Sequence, residues 1–208
     1  MNDDQKQVQI RQFAEFIYPD LKENERIEIR AFPVKKGNDV FRAWVKNIDQ
    51  FVRIVKRQDT VRQSYNIFTG ISYRGEQSAI KAKGTKEFCA GTSVLWVDLD
   101  YGTDGHKRPS KFATLEEALV AVKSLDEKPD MVVHTGGGLH LYWRLTERAD
   151  FPGSLDRVEL ANKTLAKLCD GDAVHDVSHI MRVPGTRNWK YETETYAEIV
   201  DLEQITKG

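Results

Sequence analysis

Cysteine is nearly absent from this 208-residue chain: it has two, Cys89 and Cys169, and they stand far apart. That spacing excludes a zinc ribbon and a disulfide framework, and makes a reducing, cytoplasmic compartment the simplest setting. Excess charge of either sign is lacking too. Thirty-one Lys and Arg face 32 Asp and Glu, so no global basic character announces a polynucleotide partner and any basic footprint has to be local. Long apolar runs are missing as well. The opening MNDDQKQVQIRQF carries acids where a signal peptide carries an apolar stretch, and nothing approaches membrane-spanning length. No repeat, low-complexity tract or Pro/Ser linker divides the chain. Its length suits one compact domain, or a core of two lobes, with a substantial apolar interior.

What is present reads as a mixed α+β chain. Residues 5–18 set Val8, Ile10, Phe13, Phe16 and Ile17 close to helical spacing before Pro19. RIEIRAF (26–32) and FRAWVK (41–46) read as hairpin strands across KKGND, followed by a short helix over about 49–57. SYNIFTGISY (64–73) puts Tyr65, Ile67, Thr69, Ile71 and Tyr73 on one strand face, and RGEQSAIKAKGTKEF (74–88) reads as an exposed loop. Next come strand VLWVDLD, a helix, strand MVVHT, a glycine turn, strand LHLYWRL, a helix, strand-like HIMRV and a last strand near TYAEIV. Thr114 and Glu117 form a capping box for a helix over 115–125, with Leu115, Leu119 and Val122 inward. Ser154 opens a second helix through Leu168, with Leu155, Val158, Leu165 and Leu168 on its apolar side. This β-α-β-β-α-β order predicts a small sheet with helices on one side.

Three segments carry candidate chemistry. In VLWVDLDYG, Leu95, Val97 and Leu99 alternate with Trp96, Asp98 and Asp100, so both acids leave one strand face about 6 to 7 Å apart. Two carboxylates on a rigid face can bracket hard divalent cations, which relieve their mutual repulsion. A strand end entering the turn Tyr101-Gly102-Thr103-Asp104-Gly105 gives the same letters without chemistry. In HTGGGLHLYWRL, Leu139, Leu141, Trp143 and Leu145 share one face, leaving His140, Tyr142 and Arg144 on the other; His140 is not core by this pattern. An imidazole beside glycine amides, with Thr135 supplying a hydroxyl, suits phosphate oxygens; a polar residue on the open face of a hairpin is the plainer account. In GDAVHDVSHIMRVPGTRNWK (171–190), Asp172 and Asp176 precede a short apolar run, and Arg182, Arg187, Asn188 and Lys190 surround a Pro-Gly turn. An ordinary β-turn at Pro184-Gly185 explains each residue singly.

Taken in order, VDLD, TGGGLHLYW and DVSHIMRVPGTRN-K resemble the three motifs of the archaeo-eukaryotic primase superfamily, in particular the primase-polymerases of plasmids, phages and CRISPR systems. The three span residues 94–190, and their joint order is far more specific than any one. The resemblance implies an RRM-like catalytic sheet (about 91–208) beside an N-terminal α/β module (about 1–90), together forming a single primase-polymerase domain. It implies template-directed nucleotidyl transfer, with two divalent ions, Mn2+ or Mg2+, held by Asp98, Asp100 and Asp176; Asp172 is the alternative third acid. It also implies that Thr135, Gly136, Gly137, Gly138 and His140 hold the incoming triphosphate with Arg182 and Lys190. The implied partners are a DNA template and primer, nucleoside triphosphates and, within the family, a helicase or other replication or CRISPR proteins. No zinc is expected, and primer extension is expected ahead of de novo priming. Tyr142 is a candidate steric gate against a 2′-hydroxyl. Arg74 and the lysines of 81–86 are candidate phosphate or template contacts that no motif supports.

Two other classes compete. A non-catalytic RRM-like nucleic-acid-binding module would carry exposed aromatics where the acids stand. A metal-dependent nuclease of the replication-initiator kind would pair histidines around one apolar residue, whereas His140 is followed by Leu141-Tyr142.

Overall fold

The computed structural model describes residues 1–35, 37, 39–61, 64–102 and 110–202. Lys36 and Asn38 of the predicted hairpin turn, and Thr103, Asp104 and Gly105 after VDLD, lie outside the described residues. Asn2 accepts from the Gln5 amide at 2.9 Å and opens helix α1 (Asp3–Ile17), whose Ile10, Phe13, Ala14 and Ile17 turn inward. Strand β1 (Glu25–Pro33) is the hinge of the sheet. One edge pairs with β2 (Phe41–Val45); the other pairs first with β4 (Tyr73–Gly75), through Glu25 and Arg26, and then with β3 (Tyr65–Gly70), from Ile29 on. Beyond β4 lies β5 (Cys89–Asp100), followed by β7 (Gly138–Asp150), β6 (Met131–His134) and β9 (Glu198–Val200); beyond β3 lies β8 (Ile180–Arg182). All strand pairings among the described residues are antiparallel, and together they make one mixed α/β fold around a large sheet that forks between β8 and β5.

The alternation read in VDLD and LHLYW holds. Val97, Leu99, Leu139, Leu141 and Trp143 pack against Ala118, Leu119 and Val122 of α4 (Leu115–Lys123) and Ala166 of α5 (Leu155–Leu168). The opposite face is covered rather than open. Val94, Trp96, Val133 and Tyr142 join α1 and the apolar side of α2 (Ile48–Val61), where Phe51 and Val55 are fully buried. Trp96 donates its indole N–H to the Val174 carbonyl at 2.9 Å, which satisfies its one polar atom inside the core.

Several sequence expectations change. SYNIFTGISY is two strands, broken where the Ile71 amide donates to the His179 carbonyl at 3.1 Å instead of continuing the ladder. Residues 74–88 are not a loop: β4 leads into helix α3 (Glu76–Lys81) and a 3₁₀ turn at Lys86–Phe88. The last strand of the β-α-β-β-α-β unit, β8, leaves that unit to pair with β3. In α5 Val158, Asn162 and Ala166 are buried and Leu155 and Leu165 pack partly buried against the core, while Leu168 is exposed. Asn162 is inward for a polar reason, because its side-chain oxygen accepts from the Trp96 amide at 3.0 Å on the free edge of β5. No helix among the described residues is long and apolar enough to cross a membrane.

Arg74, a candidate phosphate contact by sequence, is instead fully buried at the fork. Its guanidinium meets the Glu28 carboxylate at 2.9 Å, the Cys89 sulfur at 2.7 Å and the Ser178 carbonyl at 3.1 Å. Glu28 also takes the Arg30 Nε–H at 2.5 Å, and these two guanidinium groups hold its carboxyl below the ordinary range against the opposing effect of burial. Of the lysines in 81–86, Lys86 is bound to Glu159 at 2.6 Å. Removing one partner of a buried ion pair strands the other charge, so Arg74→Ala is expected to lower the unfolding free energy by about 3 kcal/mol in urea denaturation. A loss below about 1 kcal/mol would show that Arg30 alone keeps Glu28 satisfied.

Candidate active site

Along one face of β5 the side chains run Val94, Trp96, Asp98, Asp100, so that face changes from core to acid where it emerges from beneath α1. Opposite them on β7 stand Tyr142, His140 and Gly138, paired with Trp96, Asp98 and Asp100. Gly138 is small for a local reason. A Cβ there would lie 2.8 Å from the Leu99 carbonyl and 2.9 Å from Asp100 Oδ1, so the glycine makes room for the acid itself. Gly136, at φ +100°, turns the chain and packs under Thr195 and Tyr191. The Thr135 hydroxyl closes the same turn by donating to the Gly138 carbonyl at 3.1 Å.

A cleft of about 130 Å³ at the fork brings together Asp98, Asp100, Thr135, Gly137, His140, Arg182 and Lys190, along with Phe68, Asn188 and Tyr191. Seven of the sequence-derived residues therefore converge. Arg182 comes from β8, whose pairing with β3 carries it across the fork; it donates to the Asn66 side chain at 2.7 Å and lies 4.8 Å over the Phe68 ring. Asn188 donates to the Thr135 carbonyl at 2.6 Å and accepts from the Lys190 amide, tying the glycine turn to the Lys190 segment. Sequence reasoning gave Asn66 and Phe68 no role. A lone Asn inside the apolar run of β3 was the available signal, but its partner is 116 residues away.

The electrostatics set the protonation states. Burial, then Asp100, then Asp172 push the Asp98 carboxyl up to about 7, against the pull of Arg182 and Lys190. Burial, with Arg182 and His179, pushes the His140 imidazole down to about 3, so it is neutral at physiological pH. It is also buried, at 6% exposure, although it lines the cleft. Its Nε2 lies 3.7 Å from Asp98 Oδ1, beyond hydrogen-bond reach, and Nδ1 lies 3.3 Å from the Tyr142 hydroxyl. Tyr142 itself is fully buried against Phe13 at 5.7 Å between ring centres and does not line the cleft, which removes it as a steric gate. Burial pushes Arg182 down to about 10, which leaves it charged.

The two candidate third acids separate. The Asp172 amide donates to the Asp98 carbonyl at 2.7 Å along the free edge of β5, and its carboxylate contributes to the shift of Asp98. Asp176 instead caps its own turn, accepting the Ser178 amide at 2.7 Å and the Ser178 hydroxyl at 2.6 Å. Burial opposes its ionisation, but those bonds with Lys86 and His179 hold its carboxyl below the ordinary range. The Pro184-Gly185 turn docks α1: a Cβ on Gly185, at φ +79°, would lie 2.7 Å from the Lys6 carbonyl. Arg187 stacks 3.8 Å over Trp189 and stays outside the cleft.

A donor set made of carboxylate oxygens fits a hard divalent cation, and the raised Asp98 is an acid pair short of positive charge. Among the described residues no three or more His, Cys, Asp or Glu converge on one point as ready-made ligands. Because the folded-state value of Asp98 lies above its unfolded value, the ionised group costs stability at and above pH 7, and that cost fades as pH falls toward 4. Asp98→Asn in the presence of a chelator is therefore expected to stabilise the fold by on the order of 1–3 kcal/mol at pH 8 and by almost nothing near pH 4, read by urea unfolding across that range. An equal effect at both pH values would remove the repulsion account.

No described protein family matches the sequence, and no curated protein does. Solved structures do match. The chain is similar to the AEP domain of the cyanophage S-2L primase-polymerase, with a TM-score of 0.67 and 15% identity over 94% of this chain and 89% of that one. The catalytic domain of the primase RepB′, solved in complex with initiator DNA, is similar at TM-score 0.59 and 18% identity, over 95% and 85%. The polymerase domain of Mycobacterium tuberculosis Ligase D, in complex with DNA, follows at TM-score 0.53 and 13% identity, over 97% and 81%. Likeness at these identities is likeness of fold, and the fold of this chain is that of the archaeo-eukaryotic primase catalytic domain.

Proposed function

We propose that this chain is a metal-dependent nucleotidyltransferase, a DNA primase-polymerase that adds nucleotides to a 3′-hydroxyl on a DNA template. The observation that carries the reading is the convergence in one cleft of two carboxylates from one strand face with Arg182 and Lys190. Acids alone would repel a triphosphate, and bases alone would bind one without activating anything. Together they separate the two tasks. Asp98 and Asp100, with Asp172 beside them, would hold divalent ions, Mg2+ or Mn2+, which when bound activate the 3′-hydroxyl and neutralise the phosphates.

The remaining roles belong to the chain's own groups. Arg182, fixed by Asn66 and Phe68, presents a charged guanidinium to the phosphates, and Lys190 adds a second cation from the rim. Neutral His140 offers the phosphate oxygens a directed N–H with no charge of its own to solvate. In the reaction the 3′-oxygen bonds to the α-phosphorus as the bond to the bridging oxygen breaks, and pyrophosphate leaves toward Arg182 and Lys190. Nothing on the chain need become covalently attached.

Primer extension on a template, with Mn2+ and each nucleotide set, tests this directly. Wild type is expected to extend the primer, and Asp98→Ala/Asp100→Ala to lose at least about 10³-fold; reactions without primer separate priming from extension. Asp172→Ala is expected to cost more activity than Asp176→Ala, since only the former's charge reaches Asp98. Template binding with no extension by any form would assign the fold to a binding module instead.

A further inference from the structure

Among the described residues three arginines are buried, and they are not held alike. Arg74 meets the Glu28 carboxylate at 2.9 Å, and Arg26 meets that of Glu76 at 2.7 Å. Arg182 touches no carboxylate among the described residues. Its Nη1–H donates to the Asn66 side-chain oxygen at 2.7 Å, its plane lies over the Phe68 ring, and the charge of Asp98 reaches it without contact. A guanidinium paired with a carboxylate is compensated within the fold, whereas one held by a neutral oxygen keeps its charge in a site that disfavours it. Such a group at the wall of a cleft is poised for an anion that arrives from outside.

The residue that holds it is placed by strand alternation. On β3, Ile67 and Thr69 turn into the core, which leaves Asn66 and Phe68 on the face toward Arg182. The same Asn66 oxygen also accepts the Trp189 amide at 2.9 Å. From Arg187 to Lys190, three of the four amides go to side-chain oxygens: Arg187 to Asp59 at 3.0 Å, Trp189 to Asn66, and Lys190 to Asn188 at 3.1 Å. A segment held in this way takes its position from those side chains rather than from a ladder. One oxygen on β3 therefore locates both Arg182 and the stretch that carries Lys190 into the cleft.

From this geometry we infer that Asn66 is a positioning residue for the triphosphate: its single oxygen sets Arg182 and the Lys190 segment in register, and its neutrality leaves the guanidinium charge to phosphate oxygens. The inference rests on the nucleotidyltransferase reading of the cleft. Aspartate has nearly the same shape and accepts the same two donors, so geometry alone does not call for the amide. For the fold by itself a carboxylate would serve better, because it would give a buried cation its counter-charge. What asparagine preserves is an arginine that is aimed but not neutralised.

Calorimetric titration with dATP and Mg2+, template and primer absent, and urea unfolding of the same proteins test this together. Asn66→Asp is expected to weaken dATP binding about tenfold or more, because the new carboxylate claims the guanidinium, while its urea midpoint stays at or above that of wild type. Asn66→Ala is expected to weaken binding and to lower the midpoint as well, because two donors lose their acceptor. A purely structural Asn66 predicts that affinity follows stability in both variants. Unchanged affinity in Asn66→Asp, or a fall in its affinity matched by a fall in its midpoint, overturns the inference. Primer extension judges the nucleotidyltransferase reading separately. Affinity for dATP that depends on Asn66, with no extension by wild type, keeps the phosphate site and removes that reading; extension by wild type with unchanged affinity in Asn66→Asp does the reverse. Absence of dATP binding by wild type overturns both.

Discussion

The buried guanidinium of Arg74 is the joint on which both halves of this fold depend. It sits where β1 passes from β4 to β3, and it touches an acid on β1, the first residue of β5 and the segment that runs on into β8. That charge-assisted bridge joins the acid-bearing strand to the segment that delivers Arg182, alongside the bonds from Ile71 to His179 and from Asn188 to Thr135. A buried pair of this kind contributes little net stability compared with apolar packing, but it fixes one arrangement against others, because a shift of register would leave Glu28 unsatisfied. The fork is thus specified by charge, and the cleft exists because the sheet forks.

Within the cleft, position along a strand decides function. Trp96 and Asp98 are two residues apart on one face of β5, one sealed under α1 and the other at the edge of that cover. The same burial that stabilises Trp96 raises the Asp98 carboxyl and drives His140 neutral. The site therefore holds a deficit of positive charge at the acids and a reserve of it on Arg182 and Lys190, which is the polarity that an ion-bound triphosphate would complete.

Much of this was legible in the sequence because strand alternation is local. The two faces of VDLD and LHLYW follow from period-two spacing, the helix after Thr114 from its cap, and the grouping of Asp98, Asp100, His140, Arg182 and Lys190 from the resemblance of three ordered motifs to a known family. What escaped depends on distant partners. Ile71 breaks its strand because a carbonyl from residue 179 takes its amide. Gly and Lys in 74–88 suggested a loop, yet Ser78 accepts the Trp44 indole N–H at 2.8 Å and anchors a helix on the sheet. Tyr142 looked exposed because alternation shows two faces without showing that Phe13 of α1 packs on the second. The motif resemblance favours Asp176 of GDAVHD, whereas the structure sets Asp172 against β5 through its backbone and leaves Asp176 capping its own turn.

The docking of α1 has a consequence for how the chain reaches this state. Phe13 packs on Tyr142, the Lys6 carbonyl lies against Gly185, and Gln9 accepts the Ile199 amide across 190 residues. The nearer partners of α1 lie on α2, through Lys6–Asp59 and Arg11–Asp49, so the two helices can pair early, while the contacts to Tyr142, Gly185 and Ile199 close long loops. Closing those long loops must come before the contacts that reward it, so the seating of α1 on Tyr142 is the later and slower step. The acid-bearing face of β5 is consequently finished by the same event that completes the fold.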